Sequence, residues 1–473
     1  MIAISQSESA PVGQERSFNS FYIWAVSSIG ALGGLLFGYD WVVIGGAKPF
    51  YERYFHLSDP AMQGWAMSCA LIGCLLGAMV SGKLSDRYGR KPLLIVAAFV
   101  FTVSSIGTGL SSSFAVFVAW RIFGGCGIGL ASSLSPMYIA ELAPSHLRGK
   151  LVSLNQLTIV IGMLLAQITN WVIAQPVLVG ASTQQIAASW NGQVGWRWMF
   201  AVTAVPALLF FTASFLLPES PRWLAQRGLK EHARKVLAKI GGPSYAASSL
   251  EEIDSSAAYK PEAAANNILG EAKIRKVLLL GITLAVLQQW CGINVIFNYA
   301  EEVFSAAGYQ VSDILFNIVV TGSVNLVFTL VALFTVDKYG RRILMLTGCS
   351  GLVVVYIILG IFYRMHSHGI HMLLLVLCAI ACYAMSLAPV TWVIISEIFP
   401  NKVRGAAMSI SVAALWVACF ILTYTFPLLN RALGAAGTFW IYAAICAGGV
   451  AFLAVRLPET KGRSLEDIER YWN

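Results

Sequence analysis

The sequence predicts an all-α polytopic membrane protein: twelve transmembrane helices in two six-helix bundles, joined by a cytoplasmic helical linker. Three observations carry this. Hydrophobic residues make up 57% of the 473 and charged residues only 12%, against about 25% charged in soluble domains. Apolar runs of about 20 residues, enough to cross a bilayer core, recur along the chain. Three loop motifs also return in order. "GKLSDRYGRKP" (82–92) recurs as "VDKYGRR" (336–342), "ELAPSHLRG" (141–149) as "EIFPNKVRG" (397–405), and "PESPRW" (218–223) as "PETKGR" (458–463). Each pair is about 250 residues apart, as expected of a duplicated six-span unit related by an axis along the membrane normal.

The spans follow from apolar windows and their charged interruptions. Residues 1–20 are polar and lack the basic start, apolar core and cleavage site of a signal peptide. They read as a cytoplasmic tail before an uncleaved first span, Phe21–Ile44. Gln63–Leu84 runs into Lys83, Arg87, Arg90 and Lys91. Leu93–Gly109 and Phe114–Met137 follow, with Arg148 and Lys150 beyond them. Leu151–Val172 and Trp198–Leu217 complete the first bundle, residues 21–217. The stretch 218–275 is basic, polar and helix-compatible from Lys230 to Ile240, and reads as the linker. The second bundle, residues 276–457, contains Val277–Asn298, Ile314–Val336, Ile343–Tyr363, Met372–Ile395, Ala406–Pro427 and Thr438–Leu457; residues 458–473 are a second tail. Lys and Arg gather in alternate short loops, whereas Gln175–Gly195 has none. The positive-inside rule then places both termini in the cytoplasm.

Several function classes are disfavoured. The net charge of +9 resides largely in those loops, so membrane orientation explains it better than nucleic acid does. The nine cysteines lie in or beside apolar runs without C-x-x-C spacing and read as small buried hydrophobes. "HSHGIH" (366–371) has no acid or cysteine beside it, which argues against a metal site. "RIFGGCGIGLASS" (121–133) lacks the preceding strand of a dinucleotide fingerprint; its Gly125 and Gly129 suit close helix packing. No nucleophile–base pair or phosphate loop stands out, so neither an enzyme nor a cofactor is expected.

The repeated loops place acids beside arginines: Asp86, Arg87 and Arg90; Glu141 and Arg148; Glu219 and Arg222; Asp337, Arg341 and Arg342; Glu397 and Arg404; and Glu459. Orientation alone needs only the bases. The acids point to a cytoplasmic gate of breakable charge-assisted pairs, with solvated helix ends as the simpler alternative.

These motifs carry a resemblance, together with "PMYIAELAPSHLRGKLVSLNQ", "QQWCGINVIFNYA" and "PVTWVIISEIFPNKVRG". Over nearly its whole length the chain resembles the sugar porter family of the major facilitator superfamily, and within it bacterial proton–sugar symporters such as the xylose–proton symporters. The resemblance implies the major facilitator fold, with two bundles rocking about a central sugar site.

A sugar presents hydroxyls and apolar faces, so its site needs amides, which both donate and accept, and an aromatic plane. Span seven carries Gln288, Gln289 and Asn294 within two turns. An isolated amide would instead read as interhelical glue. The resemblance implies sugar ligands at Gln156, Gln288, Gln289, Asn294 and Asn325, aromatic walls at Trp392 and Trp416, and a pocket position at Phe37. Three residues depart from it. Met163 stands where the xylose-transporting members have glutamine, Asn298 replaces the first tyrosine of a "YY" pair, and Leu415 replaces an amide. Neither xylose nor glucose therefore transfers by name.

Asp40 lies in the apolar run "GGLLFGYDWVVIGG" (33–46). A carboxylate in the bilayer interior must be paired, hydrated or protonated, and Arg121 is the other ionisable residue deep in this half. A pair that loosens with conformation would make Asp40 a proton carrier; a permanent pair would only fix helix packing. The resemblance implies the carrier, since proton-coupled members have aspartate at this position with an arginine matching Arg121, and facilitative members have asparagine. The expectation is proton-coupled symport of a monosaccharide, hexose or pentose, by a monomeric multi-pass protein of a bacterial inner membrane. The alternative is a facilitative sugar or polyol (inositol) uniporter.

Overall fold

The structure, a computed structural model, describes residues 18–144, 146–177, 181–257, 272–399 and 404–461. The expected tails, residues 1–20 and 458–473, thus lie mostly outside the described residues. Eleven helices are long and apolar enough to span a bilayer. The last, Arg404–Arg456, has 53 residues, roughly 80 Å at 1.5 Å per residue, and is two spans. It breaks at Gly434, whose φ of 67° a side chain would resist.

We number the twelve spans α1 (Ser20–Tyr54), α2 (Pro60–Tyr88), α3 (Arg90–Gly109), α4 (Phe114–Leu142), α5 (Arg148–Ile173), α6 (Asn191–Ser214), α7 (Ile274–Asn298), α8 (Val311–Tyr339), α9 (Arg341–Arg364), α10 (Ile370–Ile395), α11 (404–433) and α12 (435–456). Their outward side chains are apolar: Leu216, Phe334 and Val455 are each more than 70% exposed. Water would not tolerate such a surface at this density, and lipid does.

The expected spans are present with shifted ends. The largest shift is in α1, which continues ten residues past Ile44 to Tyr54 and carries Lys48, Glu52 and Arg53. Those charges suggested a span end; partners from another helix allow the helix to continue. Three other helices are interrupted. α6 breaks at Val202–Thr203, α7 at Cys291–Gly292 and α10 at Ser386. Gly129 and Gly125 of α4 do pack closely, since added Cβ atoms would lie 2.1 Å from the Cys74 carbonyl oxygen and 2.0 Å from that of Ala70 on α2.

Between α6 and α7, helices Pro221–Gln226 and Lys230–Ala257 lie against the first six spans. Trp223 Nε1 and Arg227 Nη2 donate to the Asp86 carbonyl at 3.0 and 2.8 Å. The Asn19 amide donates to the Ile240 carbonyl at 2.9 Å.

Candidate functional site

Asp40 and Arg121 meet. Arg121 Nη1 donates to Asp40 Oδ1 at 2.7 Å, and both residues are buried. The guanidinium also lies over the Phe200 ring, 5.4 Å from its centroid. Beside the pair is a cavity of about 20 Å³ lined by Asp40, Trp41, Met67, Arg121, Asn298 and Thr423, among others. That is room for about one water. Asn298 and Thr423 come from the second half. The small Asn298, at the position of an expected tyrosine, thus leaves space beside the carboxylate.

The span-seven amides converge, but not as a continuous helix would place them. Asn294 Nδ2 donates to Gln289 Oε1 at 2.5 Å. Residues five apart do not share a helical face. The break at Gly292 brings them together: its φ is 83°, and a Cβ there would meet the Tyr442 ring at 2.6 Å. Gln288 Nε2 donates to the Leu387 and Ala388 carbonyls beside the break in α10, at 3.2 and 3.1 Å. Its Oε1 is buried without a partner. Asn325 Nδ2 lies 3.8 Å from Met163 Sδ, across the two halves.

Phe37 and Trp416 pack with ring centroids 5.8 Å apart, and Trp41 completes a trio at 6.0 and 6.3 Å. Trp416 Nε1 is buried without a partner. Trp392 is 38% exposed and outside this trio. Gln156 is half-buried and outside the amide pairs; its neighbour Asn155 is the buried one.

The loop motifs form two matching arrangements, each within one half. Arg90 grips Glu141 through two bonds, Nε to Oε2 at 3.0 Å and Nη2 to Oε1 at 2.9 Å, and Asp86 lies 3.6 Å away. Arg341 Nη2 reaches Glu397 Oε1 at 3.3 Å, and Thr460 donates to Glu397 Oε2 at 2.6 Å. Glu219 accepts the amides of Arg90 and Lys91, while Glu459 accepts those of Arg341 and Arg342. The two acids therefore cap the N-termini of α3 and α9, where the helix dipole favours a negative charge. Gly89 and Gly340 make this possible with φ of 96° and 92°; a Cβ on either would strike the capping carboxylate. Burial raises the Glu459 carboxyl, but the amides of Lys461, Arg341, Arg342 and Thr460 outweigh it and hold it below its usual value. Arg342 Nη2 donates to the Ala454 carbonyl at 2.6 Å, and Arg87 lies over the Tyr88 ring. Arg148 and Arg222 are exposed outside these pairs. The side chains of Asp337 and Arg404 lie outside the described residues.

Ion pairs across the halves occur at the opposite, far face, among residues outside the sequence motifs. Lys48 is 2% exposed. Its Nζ lies 2.9 Å from Glu52 Oε2, 2.5 Å from Glu302 Oε1 and 3.8 Å from Glu301 Oε2. Arg53 Nη1 and Nη2 both reach Glu301 Oε1 at 3.3 Å. Burial, opposed by Lys48, raises the Glu302 carboxyl above its usual value; Glu302 lies beyond α7 in helix Ala300–Ala306.

Residues 26–472 match the family described as "Sugar (and other) transporter". The chain belongs to the sugar transporter family. Similar members include a D-xylose-proton symporter of Escherichia coli (strain K12), 39% identical with 96% of each chain covered. An arabinose-proton symporter of Bacillus subtilis (strain 168) is 37% identical, over 97% of this chain and 96% of that one. The fold matches the xylose transporter from E. coli in its inward open conformation, with TM-score 0.83, 36% identity, and coverage of 96% of this chain and all of that one.

The sugar transporter family is one of transporters, not enzymes, and its fold is the one the loop motifs implied. Asp40 and Arg121 could be found in sequence because they are charged residues in apolar spans. Trp41 could not, since one more aromatic in an apolar helix carries no signal. The Lys48 cluster had a signal, five charges in "KPFYER" and "AEE", but its partners are about 250 residues apart in sequence and only the fold brings them together.

Proposed function

We propose that this protein is a proton-coupled symporter of a monosaccharide, working by alternating access. Its two bundles would be residues 21–217 and 276–457, joined by a cytoplasmic linker at 218–275, in a bacterial inner membrane with both termini inside. The sugar would lie among Gln156, Gln288, Gln289, Asn294 and Asn325, bounded by Phe37, Trp392 and Trp416. The basic-loop motifs would brace the helices that line the cytoplasmic opening, with Glu219 and Glu459 as helix caps. The protein would work as a monomer.

The observation that carries this reading is the buried Asp40–Arg121 pair, beside a water-sized cavity walled partly by the second half. Arginine remains charged, so protonation of Asp40 breaks the pair's charge balance and favours movement of the helices around it. Asn298 and Thr423 couple that change to the half that carries the span-seven amides. Close relatives named as proton symporters of xylose and arabinose support the same conclusion.

The test is uptake into proteoliposomes of labelled pentoses, hexoses and inositols, with and without an inward proton gradient. The parent protein should accumulate one sugar class above equilibrium only with the gradient. Asp40→Asn should reduce accumulation to equilibration and leave counterflow intact. Undiminished gradient-driven accumulation in that variant overturns the assignment of Asp40.

A further inference from the structure

The far-face cluster has more acids than bases. Three carboxylates, Glu52, Glu301 and Glu302, face two cations, Lys48 and Arg53. Arg53 and Glu301 balance one another. Glu52 and Glu302 are left sharing one ammonium, which is itself out of water. Each also has one buried oxygen, Glu52 Oε1 and Glu302 Oε2, without a hydrogen-bond partner. An uncompensated carboxylate is costly where it is buried, as Glu52 is, or half-buried, as Glu302 is, and binding a proton removes that cost. Among the described residues, no Lys or Arg other than Lys48 and Arg53 forms an ion pair with these carboxylates. Tyr51 of α1, Cys69 of α2, Tyr299 after α7 and Tyr442 of α12 are the neighbouring titratable residues, and such groups carry no charge below about pH 8.

We propose that the far-face cluster is a second proton-binding site, assembled when the outer mouth closes and dismantled when it opens. On closing, Glu52 and Glu302 come together on Lys48 and one proton from the outer water joins them, converting one carboxylate to a carboxylic acid. On opening, the halves part, Glu302 leaves Lys48, and the proton returns to the same outer water. The site therefore makes closing depend on outer pH without adding to the protons carried per sugar. This inference rests on the alternating-access reading. It goes beyond that reading in assigning the gate its own proton.

The sign of one substitution separates this from an ordinary salt-bridge latch. In a latch, Glu302→Gln removes an attractive partner and opens the mouth at every pH. In a proton site, Glu302→Gln removes the surplus charge and leaves Lys48 paired with Glu52. The mouth then stays closed regardless of pH. Spin labels at Ser58→Cys and Gln310→Cys, both exposed at this face, report the opening. The exposed Cys378 is replaced, and the full-length protein is placed in nanodiscs without sugar. All variants carry Asp40→Asn, so titration at that residue cannot contribute.

Between about pH 5.5 and 7.5 the closed-to-open ratio should fall with rising pH, by at most about tenfold per unit for one proton. Glu302→Gln should abolish the dependence and hold the short distance. Glu52→Gln should act in the same direction and serves if the first variant fails to fold. A parent ratio that does not vary with pH, or a Glu302→Gln protein that is open throughout, overturns the proposal. No sugar is transported in this measurement, so its failure is distinct from failure of the transport assay.

Discussion

At the scale of single residues, Met163 departs from the glutamine that the family resemblance implies there. Its sulfur lies 3.8 Å from Asn325 Nδ2 across the halves, a weaker partner than an amide would be. Restoring the amide with Met163→Gln supplies a donor and an acceptor facing the proposed sugar. A hydrogen bond of about 1 kcal/mol would lower KM for the preferred sugar about fivefold. An unchanged KM across a sugar panel would show that position 163 does not face the substrate. The departures themselves were readable in the sequence, and so was the Asp40–Arg121 pair, because polarity in an apolar span stands out. What Asn298 does was not readable. Replacing tyrosine by asparagine signals a lost aromatic, and only the packing shows that the freed space lies beside Asp40.

At the scale of elements, the repeated loops were correctly found and incompletely understood. Acids and arginines at helix ends suggest breakable pairs between moving parts, but the described ones join helices of the same half. Glu219 and Glu459 hold helix N-termini through backbone amides that sequence cannot reveal. Glu459 gives a pH test. Its carboxyl is held below the usual 4.5, so its contribution to stability is present above that value and is lost as pH falls through the lower folded value. Glu459→Gln should lower Tm at neutral pH, by an amount corresponding to about 0.5 kcal/mol for a partly exposed cap. The difference should close in acid. Thermal unfolding at pH 7 and in mild acid measures both parts; equal Tm values at pH 7 would count against the cap. The interruption of α7 was hidden for another reason. A single glycine in "QQWCGIN" is tolerated in many helices, and what fixes Gly292 in the left-handed region is the Tyr442 ring pressed against it.

At the scale of the whole molecule, the number and order of spans were legible because bilayer thickness sets their length and duplication repeats their loops. The state captured was not, since one sequence must serve both faces. The described ion pairs that cross the halves lie at the far face, and the backbones approach closely there too: a Cβ on Gly45 would be 2.8 Å from the Phe297 carbonyl oxygen. Gly45→Leu should therefore wedge that mouth open, abolishing net transport while sugar binding is retained, as measured by calorimetry beside an uptake assay. Transport at the parent rate would show that α1 and α7 need not approach so closely. The small cavity at Asp40 has a separate consequence, an electrical one. A carrier that holds protons in a membrane under voltage must not become a wire, and a file of several waters would make it one. A space of about 20 Å³ holds about one water, and Met67, Leu71 and Ile128 contribute apolar lining to it. In the proposed mechanism, so small a space beside Asp40 would keep a water file from forming there, and the membrane's stored gradient would be drawn down by turnover and not by leakage.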